Sequence, residues 1–498
     1  MMSVTVITEK MPSDTELENR LAEGSIDENW RLGIKPNWVL RPDKKMILLV
    51  EITDGTFEIG IYYKLYPQAG IILTLLDGKK SVGEVVNEAA SLFDSPIEDV
   101  RNVLYSLLKN SNKAFTLRGE NISQHSYDLN QFIIPQGDID LNPPRLAAPL
   151  SIILHIADSC IRNCLYCNVQ KRPSNKKTAM TTGQLLNVID QAAEMGVLTM
   201  SIAGGEPFIR DDIPELIEWI YRNNMKCSFS TKALISPEMA VRLKNAGIRH
   251  AQVSIDAPDE KIADFLAGSV GFYKDAVGSI KNLRQAGIQV RTNSMITPFN
   301  VKMVDELVEL LVSLGVCYIA MSTPSRSLHN GAVSDSLFLN HRDGKWLENE
   351  IRQLSMRYGN PDITIKPFEF AMDYSWIRRS DREKRFKNRA FCSAGRSGML
   401  ILEDGDVILC EECPVTDELV FGNVKVQSLQ EVWDSSRIGE FLHPPREKYL
   451  GTVCYDCREY DECHTVKGRC WRESLKAYGQ LYAPAPMCPH APSGKRVM

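Results

Sequence analysis

The middle third of this 498-residue chain alternates short apolar runs with amphipathic segments, six times in succession. The runs have the length of buried β-strands, and the segments between them have the period of helices. Several of those segments end at a glycine, as helix C-termini commonly do. Six strand–helix units predict a parallel sheet that curls into a partial barrel. The predicted strands are residues 152–157, 197–203, 226–231, 251–256, 288–294 and 316–322.

Three cysteines follow the first predicted strand directly. Cys160, Cys164 and Cys167 have the spacing C-x3-C-x2-C, and an aromatic residue, Tyr166, precedes the last of them. Three thiolates on one short loop can hold a [4Fe–4S] cluster at three corners and leave the fourth iron open. A structural zinc site would need a fourth ligand in a closed tetrahedron, and His155 is too close along the strand to supply it. In barrels of this type, sites form at the carboxyl ends of the strands, where this loop lies.

The cysteine loop resembles the signature of the radical S-adenosylmethionine (SAM) enzymes. The resemblance implies that the open iron binds the amino and carboxylate groups of SAM. It also implies reductive cleavage of SAM to methionine and a 5′-deoxyadenosyl radical, which removes a hydrogen atom from the substrate. The cofactor then carries the difficult chemistry, and the barrel positions one C–H bond and excludes water.

Further motifs at the strand ends resemble the SAM-binding motifs of the same family. A Gly-Gly-Glu-Pro stretch ends the second strand and is similar to the motif that holds the SAM amino group. A Ser-hydrophobic-Asp stretch ends the fourth strand and is similar to the one that contacts the SAM carboxylate or ribose. Relatives often place an arginine before the glycine of the next loop, where this chain has Ala267, so Arg291 is the alternative carboxylate ligand. The expected SAM-binding residues are Gly204, Gly205, Glu206, Pro207, Thr231, Ser254, Asp256 and Arg291.

Eight of the thirteen cysteines lie between residues 392 and 488. Their arrangement resembles the SPASM domain, a C-terminal extension of peptide-modifying radical SAM enzymes that carries two auxiliary clusters. The resemblance assigns Cys454, Cys457, Cys463 and Cys488 to one cluster, and Cys392, Cys410 and Cys470 to the other. Cys413 could complete the second set. Without it as a ligand, that cluster would keep an open iron. The alternative is a pair of structural zinc sites, which eight cysteines without a suitably spaced histidine pair do not favour.

Glu411 follows Cys410 at the place where some relatives carry a carboxylate that takes up a substrate proton. A buried carboxylate beside a cluster would have a shifted pKa and could act as a base. The alternative is a solvated loop glutamate.

The N-terminal part of the chain has its own pattern. Two alternating runs, residues 46–52 and 56–63, flank Asp54-Gly55 and predict a β-hairpin. A capping box at Ser81 and a proline, Pro96, at a first helical position mark two helices. Together they predict a winged-helix-like module. Residues 75–82 resemble the recognition element that captures leader peptides of ribosomally made, modified peptides (RiPPs). The implied mode is β-augmentation, in which the leader adds a strand to the hairpin edge; a purely structural domain is the alternative.

Bulk properties exclude several classes of partner. A net charge of −5 gives no general attraction to nucleic acid, and no apolar run is long enough to span a membrane. The first 29 residues lack the apolar core of a secretory signal, so we expect a cytoplasmic protein. In that compartment, thirteen cysteines indicate metal or redox chemistry and not a disulfide framework.

The sequence therefore predicts an α/β fold: a partial (β/α)6, TIM-like radical SAM barrel with an N-terminal winged-helix-like domain and a C-terminal cysteine-rich SPASM domain. The expected segments are 1–29 (polar N-terminus), 30–119 (recognition element), 120–150 (linker), 151–324 (barrel), 325–390 (connecting segment) and 391–498 (SPASM domain).

The expected function is that of a radical SAM oxidoreductase with three [4Fe–4S] clusters and SAM. It would bind a precursor peptide through its leader, receive electrons from a flavodoxin or ferredoxin, and form a C–S, C–C or C–O cross-link. Peptide epimerisation, formylglycine formation in a sulfatase, and a non-catalytic iron–sulfur peptide-binding or electron-transfer role are the alternatives.

Overall fold

A computed structural model describes residues 13–53, 58–117, 119–123, 125–169, 179–325, 328, 334–370, 379–389 and 392–492. The chain divides into two compact units, Met1–Pro143 and Pro144–Met498. In the described residues, no helix is both long enough and apolar enough to cross a lipid bilayer.

The first unit combines a three-stranded sheet with helices. Its elements are α1 Asp14–Glu23, β1 Gly33–Ile34, β2 Trp38–Pro42, β3 Ile47–Ile52, β4 Ile59–Leu65, α2 Pro67–Thr74, α3 Val82–Phe93, α4 Ile97–Asn110 and β5 Phe115–Thr116.

The predicted hairpin is present as the antiparallel pair β3–β4, with Ile47 opposite Leu65. Its predicted turn, at residues 54–57, lies outside the described residues. The sequence did not predict β2, which pairs with the other edge of β3 and gives the order β2-β3-β4. This strand ends at Pro42, a residue that only sheet edges, strand ends and bulges tolerate.

Local signals set the helices of this unit. Ser81 and Glu84 form the predicted capping box at the start of α3. Pro96 is the N-cap of α4 and therefore precedes the first helical residue, one position earlier than predicted. Leu17 and Leu21 of α1 are fully buried in the core of the same unit, so part of the polar N-terminal segment belongs to this domain.

The second unit contains the remaining elements. They are β6 Ser151–His155, α5 Thr182–Glu194, β7 Thr199–Ala203, α6 Ile213–Arg222, β8 Lys226–Thr231, α7 Pro237–Asn245, β9 His250–Val253, α8 Glu260–Ala267, α9 Phe272–Gln285, β10 Gln289–Met295, α10 Val304–Ser313, β11 Tyr318–Ser322, α11 His341–Tyr358, β12 Thr364–Ile365, α12 Arg379–Lys387, β13 Gly398–Ile401, β14 Asp406–Ile408, β15 Gly422–Asn423, α13 Leu429–Trp433, α14 Ser436–Leu442, α15 Tyr460–Glu462 and α16 Trp471–Tyr478.

All six predicted strands are present as β6 to β11, and neighbours in sequence are parallel neighbours in the sheet. The strand β9 ends at Val253, three residues earlier than predicted, so Ser254 and Asp256 lie in the loop that follows it. The glycines that end four of the helices have positive φ, as the sequence predicts: Gly196, Gly247, Gly287 and Gly315.

The sheet continues beyond the six predicted strands at both edges. Its order is β12-β11-β10-β9-β8-β7-β6-β13-β14-β15. The cysteine-rich C-terminal part supplies β13, which pairs in parallel with β6, with Gly398 opposite Ser151. The cysteine-rich part and the strand that precedes the cysteine loop therefore share one sheet.

Candidate functional site

The Gly-Gly-Glu stretch fixes one side of the cysteine loop. Gly205 N donates to Ala157 O (2.6 Å), and Glu206 N donates to Ser159 O (3.0 Å). A Cβ on Gly205 would lie 2.2 Å from Ser159 O, and one on Gly204 would lie 2.3 Å from Ala157 O. Gly204 also has a φ of +141°, which L-residues rarely adopt. Only glycines let the end of β7 approach the cysteine loop this closely.

The end of α8 fixes the other side of the loop. Asn163 N donates to Ala267 O (3.1 Å), and Leu165 N donates to Leu266 O (3.0 Å). Gly268 caps α8 with a φ of +58°, and a Cβ there would lie 2.3 Å from Asn163 O. The three cysteines are therefore held between two main-chain segments that the sheet positions.

A cavity of about 500 Å³ opens at the loop. That is the size of pockets that bind small cofactors. Its wall includes all three loop cysteines and four of the expected SAM-binding residues: Gly205, Glu206, Thr231 and Ser254. The other four expected residues, Gly204, Pro207, Asp256 and Arg291, do not line it.

Glu206 is a fixed, buried carboxylate in that wall. It is 2% exposed and accepts hydrogen bonds from Thr231 Oγ1 (2.7 Å), Lys232 N (2.9 Å) and Phe208 N (3.1 Å). Burial raises the pKa of the Glu206 carboxyl, and these hydrogen bonds oppose that rise. The side chain joins the ends of β7 and β8 and keeps its remaining acceptor capacity for an ammonium group.

Asp256 holds three residues of the wall in place. It is 1% exposed, accepts from the Tyr166 hydroxyl and from Lys232 Nζ (2.9 Å), and also accepts from Met295 N (2.8 Å). Burial raises the pKa of Tyr166 well above its ordinary value, so its hydroxyl remains a donor. Asp256 thus positions neighbouring residues, and its predicted contact with SAM stays a prediction.

Two cationic side chains, Arg162 and Lys232, line the cavity. Arg291, the cation that the sequence proposed for the SAM carboxylate, instead packs its guanidinium on the Tyr318 ring, 3.9 Å from the centroid. The expected SAM-binding residues include neither Lys232, which follows Thr231, nor Arg162, which lies inside the cysteine loop.

The C-terminal cysteines lie in two groups in the structure, and their role as cluster ligands stays a prediction. Four of them line one small cavity together: Cys454, Cys457, Cys463 and Cys488. In the other group each thiol lies within electrostatic range of another member, and its members are Cys392, Cys410, Cys413 and Cys470. Within the described ranges, no three His, Cys, Asp or Glu side chains converge on one point to hold a single ion. A [4Fe–4S] cluster has one thiolate on each iron, so its ligands surround a volume, as cysteines around a cavity do.

Cys413 belongs to its group by contact with Cys410. A hydrogen bond from Cys413 is the main cause that lowers the pKa of Cys410 to about 7. The sequence left the place of this cysteine open, and the structure puts it beside the other three.

The two glutamates between Cys410 and Cys413 differ in position. The Glu411 side chain is 49% exposed, and its Oε2 lies 3.6 Å from His155 Nε2. Glu412 lines the main cavity and pairs with Arg472 and with Lys476 Nζ (2.8 Å).

The partners of Glu412 decide its charge. Burial opposes ionisation of this carboxyl, but Arg472 and Lys476 outweigh burial and hold its pKa below the ordinary value. A carboxylate that is ionised and paired with two cations is a weak base. Glu412 therefore mainly connects the Cys410–Cys413 loop to α16 through these ion pairs. No local signal in the sequence connects Glu412 with a helix sixty residues away.

Three family models match the chain. The Radical SAM superfamily matches residues 154–311, the SPASM iron–sulfur cluster-binding domain matches residues 392–458, and coenzyme PQQ synthesis protein D (PqqD) matches residues 39–113.

Similar proteins cover most of the chain at low identity. A PqqA peptide cyclase from Granulibacter bethesdensis is 24% identical over 69% of this chain and 88% of its own length. An AdoMet-dependent heme synthase from Methanosarcina barkeri is 23% identical over 70% of this chain and 98% of its own. SuiB from Streptococcus suis, solved with S-adenosylmethionine and with its precursor peptide SuiA, aligns with a TM-score of 0.64 in both structures, at 18% identity, over 92% of this chain and 99% of its own.

These matches confirm the predicted domain types, and the fold that they share is the one described above. A radical SAM domain implies a SAM-binding [4Fe–4S] cluster, and a SPASM domain implies auxiliary iron–sulfur clusters. The chain thus contains a radical SAM domain, with a PqqD domain before it and a SPASM domain after it.

Proposed function

We propose that the protein is a peptide maturase that modifies a leader-bearing, ribosomally made peptide and forms an oxidative cross-link within it. One observation carries the proposal. A single cavity wall combines the three cysteines of the loop, the Glu206 carboxylate and, from the SPASM part, Glu412. The loop that contains Glu412 also contains Cys410 and Cys413, so a second cysteine group adjoins the same cavity.

Residues of the wall suit a cluster with bound SAM. Cys160, Cys164 and Cys167 would hold a [4Fe–4S] cluster, and Glu206 would accept the SAM ammonium. When bound, the cluster and SAM together supply a carbon radical that removes a substrate hydrogen atom. The protein's own part is to fix the loop from both sides and to enclose the substrate, so that the reacting C–H bond meets the radical in one orientation.

The two C-terminal cysteine groups would each hold a [4Fe–4S] cluster with four thiolates, which makes three clusters in all. Closing a bond to a second group after hydrogen removal would release one proton, to water, and one electron. The cluster held by the group that includes Cys413 would take up this electron, because the loop of that group lines the cavity through Glu412. With four cysteines as its ligands, that cluster would not need the substrate as a ligand. A flavodoxin or ferredoxin would supply the electron that starts the reaction.

The first unit supports a peptide substrate. Its strand β4 lies at the end of the order β2-β3-β4, the Ile61 side chain is 47% exposed, and most of the other side chains of β4 are half-buried. The other edge strand, β2, is largely buried. An extended leader can therefore add a strand to β4. SuiB, which shares the fold, is solved with its precursor peptide, and PqqA peptide cyclases are among the relatives.

A tetrapyrrole substrate is the second candidate. The heme synthase matches this chain at nearly the same identity as the peptide cyclase does. The PqqD domain favours the peptide.

Removal of the first unit tests the proposal. The cut belongs after Pro143, because Phe132 and Tyr127 pack in the core of that unit. We expect the shortened protein to cleave SAM with dithionite at close to the full-length rate, which also shows that the second unit is folded. We expect its affinity for the precursor peptide to fall by at least tenfold, about 1.4 kcal/mol. An unchanged precursor affinity would contradict leader capture by this unit.

A further inference from the structure

We propose that Lys232 provides the positive charge that binds the carboxylate of SAM. The inference rests on the proposed use of the cavity for SAM. A carboxylate removed from bulk water needs a cation or several donors. The cavity wall offers two cationic side chains for this task, Arg162 and Lys232.

Arg162 is the less accessible of the two cations, because four of its five N–H groups are used and its side chain is 6% exposed, against 17% for Lys232. Its Nε and Nη2 donate to Lys232 O (3.2 and 3.1 Å), and its Nη1 donates to Ser269 Oγ (2.9 Å). Its Nη2 also pairs with Asp275 (2.5 Å). Arg162 therefore holds the main chain of Lys232 in place, and Lys232 is the cation of the wall that remains for the SAM carboxylate.

The Lys232 ammonium is held in place with donor capacity to spare. Its Nζ donates to Tyr166 OH (2.8 Å) and to Asp256 Oδ2 (2.9 Å). An ammonium has three protons, so these two bonds leave one for a ligand. The Phe272 ring, 4.8 Å from Nζ, covers the group on another side, and the side chain keeps 17% of its surface exposed.

The pair of charges matches an α-amino acid. Lys232 N donates to Glu206 Oε2 (2.9 Å). This bond holds the Glu206 carboxylate next to the main chain of Lys232 in the same wall. SAM carries an ammonium and a carboxylate on one carbon atom, so Glu206 can take the first and Lys232 the second. Lys232 lines the same cavity as Cys160, Cys164 and Cys167. The lysine therefore borders the space where the cluster would bind.

Paired ligands test this role. Lys232→Met and wild type would be reconstituted anaerobically and titrated with SAM and with decarboxylated SAM, which lacks only the carboxylate. The readout is equilibrium binding, followed by the change in the electron paramagnetic resonance of the reduced cluster. We expect Lys232→Met to raise the Kd for SAM roughly 10- to 100-fold, the range for a lost charged hydrogen bond. The Kd for decarboxylated SAM should change less than about twofold, and Lys232→Arg should restore part of the loss.

Two controls keep the test decisive. Lys226→Met removes a lysine at the opposite end of the same strand and should leave both Kd values unchanged. Lys232→Met leaves buried Asp256 without its cation, so Lys232→Met with Asp256→Asn removes both charges and must show the same selective loss for SAM. Equal loss for both ligands, or no loss for SAM, would overturn the inference while the maturase proposal stands. Wild type that binds no SAM would overturn both.

Discussion

Gly205→Ala is the sharpest structural perturbation of the site. A Cβ at this position lies 2.2 Å from the carbonyl oxygen of Ser159 and 2.6 Å from its carbonyl carbon. Contacts under 3.0 Å are essentially absent for real Cβ atoms, and both partners here are main chain, so the cysteine loop must move by roughly 1 Å. Such overpacking costs about 1–3 kcal/mol of stability.

The displacement reaches the site because Ser159 adjoins Cys160. A 1 Å misplacement of a reacting group can cost on the order of 100-fold in rate, so we expect that loss in SAM cleavage. The assay is 5′-deoxyadenosine formation with dithionite, together with iron content and thermal unfolding. Gly183→Ala is the matched control, because a Cβ there has nothing within 4 Å. Wild-type cleavage by Gly205→Ala would refute the close packing between β7 and the loop.

Four further variants test other parts of the account. Alanine at all three cysteines of the loop should lower the iron content from about twelve to about eight per chain and abolish SAM cleavage, whereas stoichiometric zinc in the wild type would contradict the assignment. Glu411→Gln should change turnover by less than about twofold, because the Glu411 side chain is 49% exposed. Glu412→Gln should lower the free energy of unfolding by about 2 kcal/mol, because Arg472 loses its carboxylate partner. Cys413→Ala should open one auxiliary iron to added cyanide, detected by electron paramagnetic resonance, and an unchanged spectrum would exclude this cysteine as a ligand.

Sequence alone predicted the features that local signals encode. Short apolar runs predicted the six parallel strands, and the predicted capping box at Ser81 marks the start of α3 in the structure. The pairing of β13 with β6 has no such signal, because it joins residues almost 250 positions apart and β13 is only four residues long.

The site was predictable to the extent that its motifs are contiguous. The cysteine loop and the Gly-Gly-Glu stretch were found because each is a short run of residues. The roles of Glu412 and Lys232 depend on contacts with distant segments, Arg472 and Asp256 among them, which spacing does not reveal. Cys454 and Cys488 lie far apart in the chain but line one cavity in the structure. Spacing does not reveal such a group, so the cysteine groups were assigned by resemblance.

The most direct test of the maturase proposal is high-resolution mass spectrometry of the precursor peptide. A short reading frame beside the gene is the place to find this peptide, and the reaction would be run anaerobically in heavy water with SAM and reductant. An oxidative cross-link predicts the loss of two hydrogens per modification, no deuterium at Cα, and formation of 5′-deoxyadenosine. A product that carries solvent deuterium at Cα in place of hydrogen, without loss of two hydrogens, would identify epimerisation and contradict the cross-linking proposal.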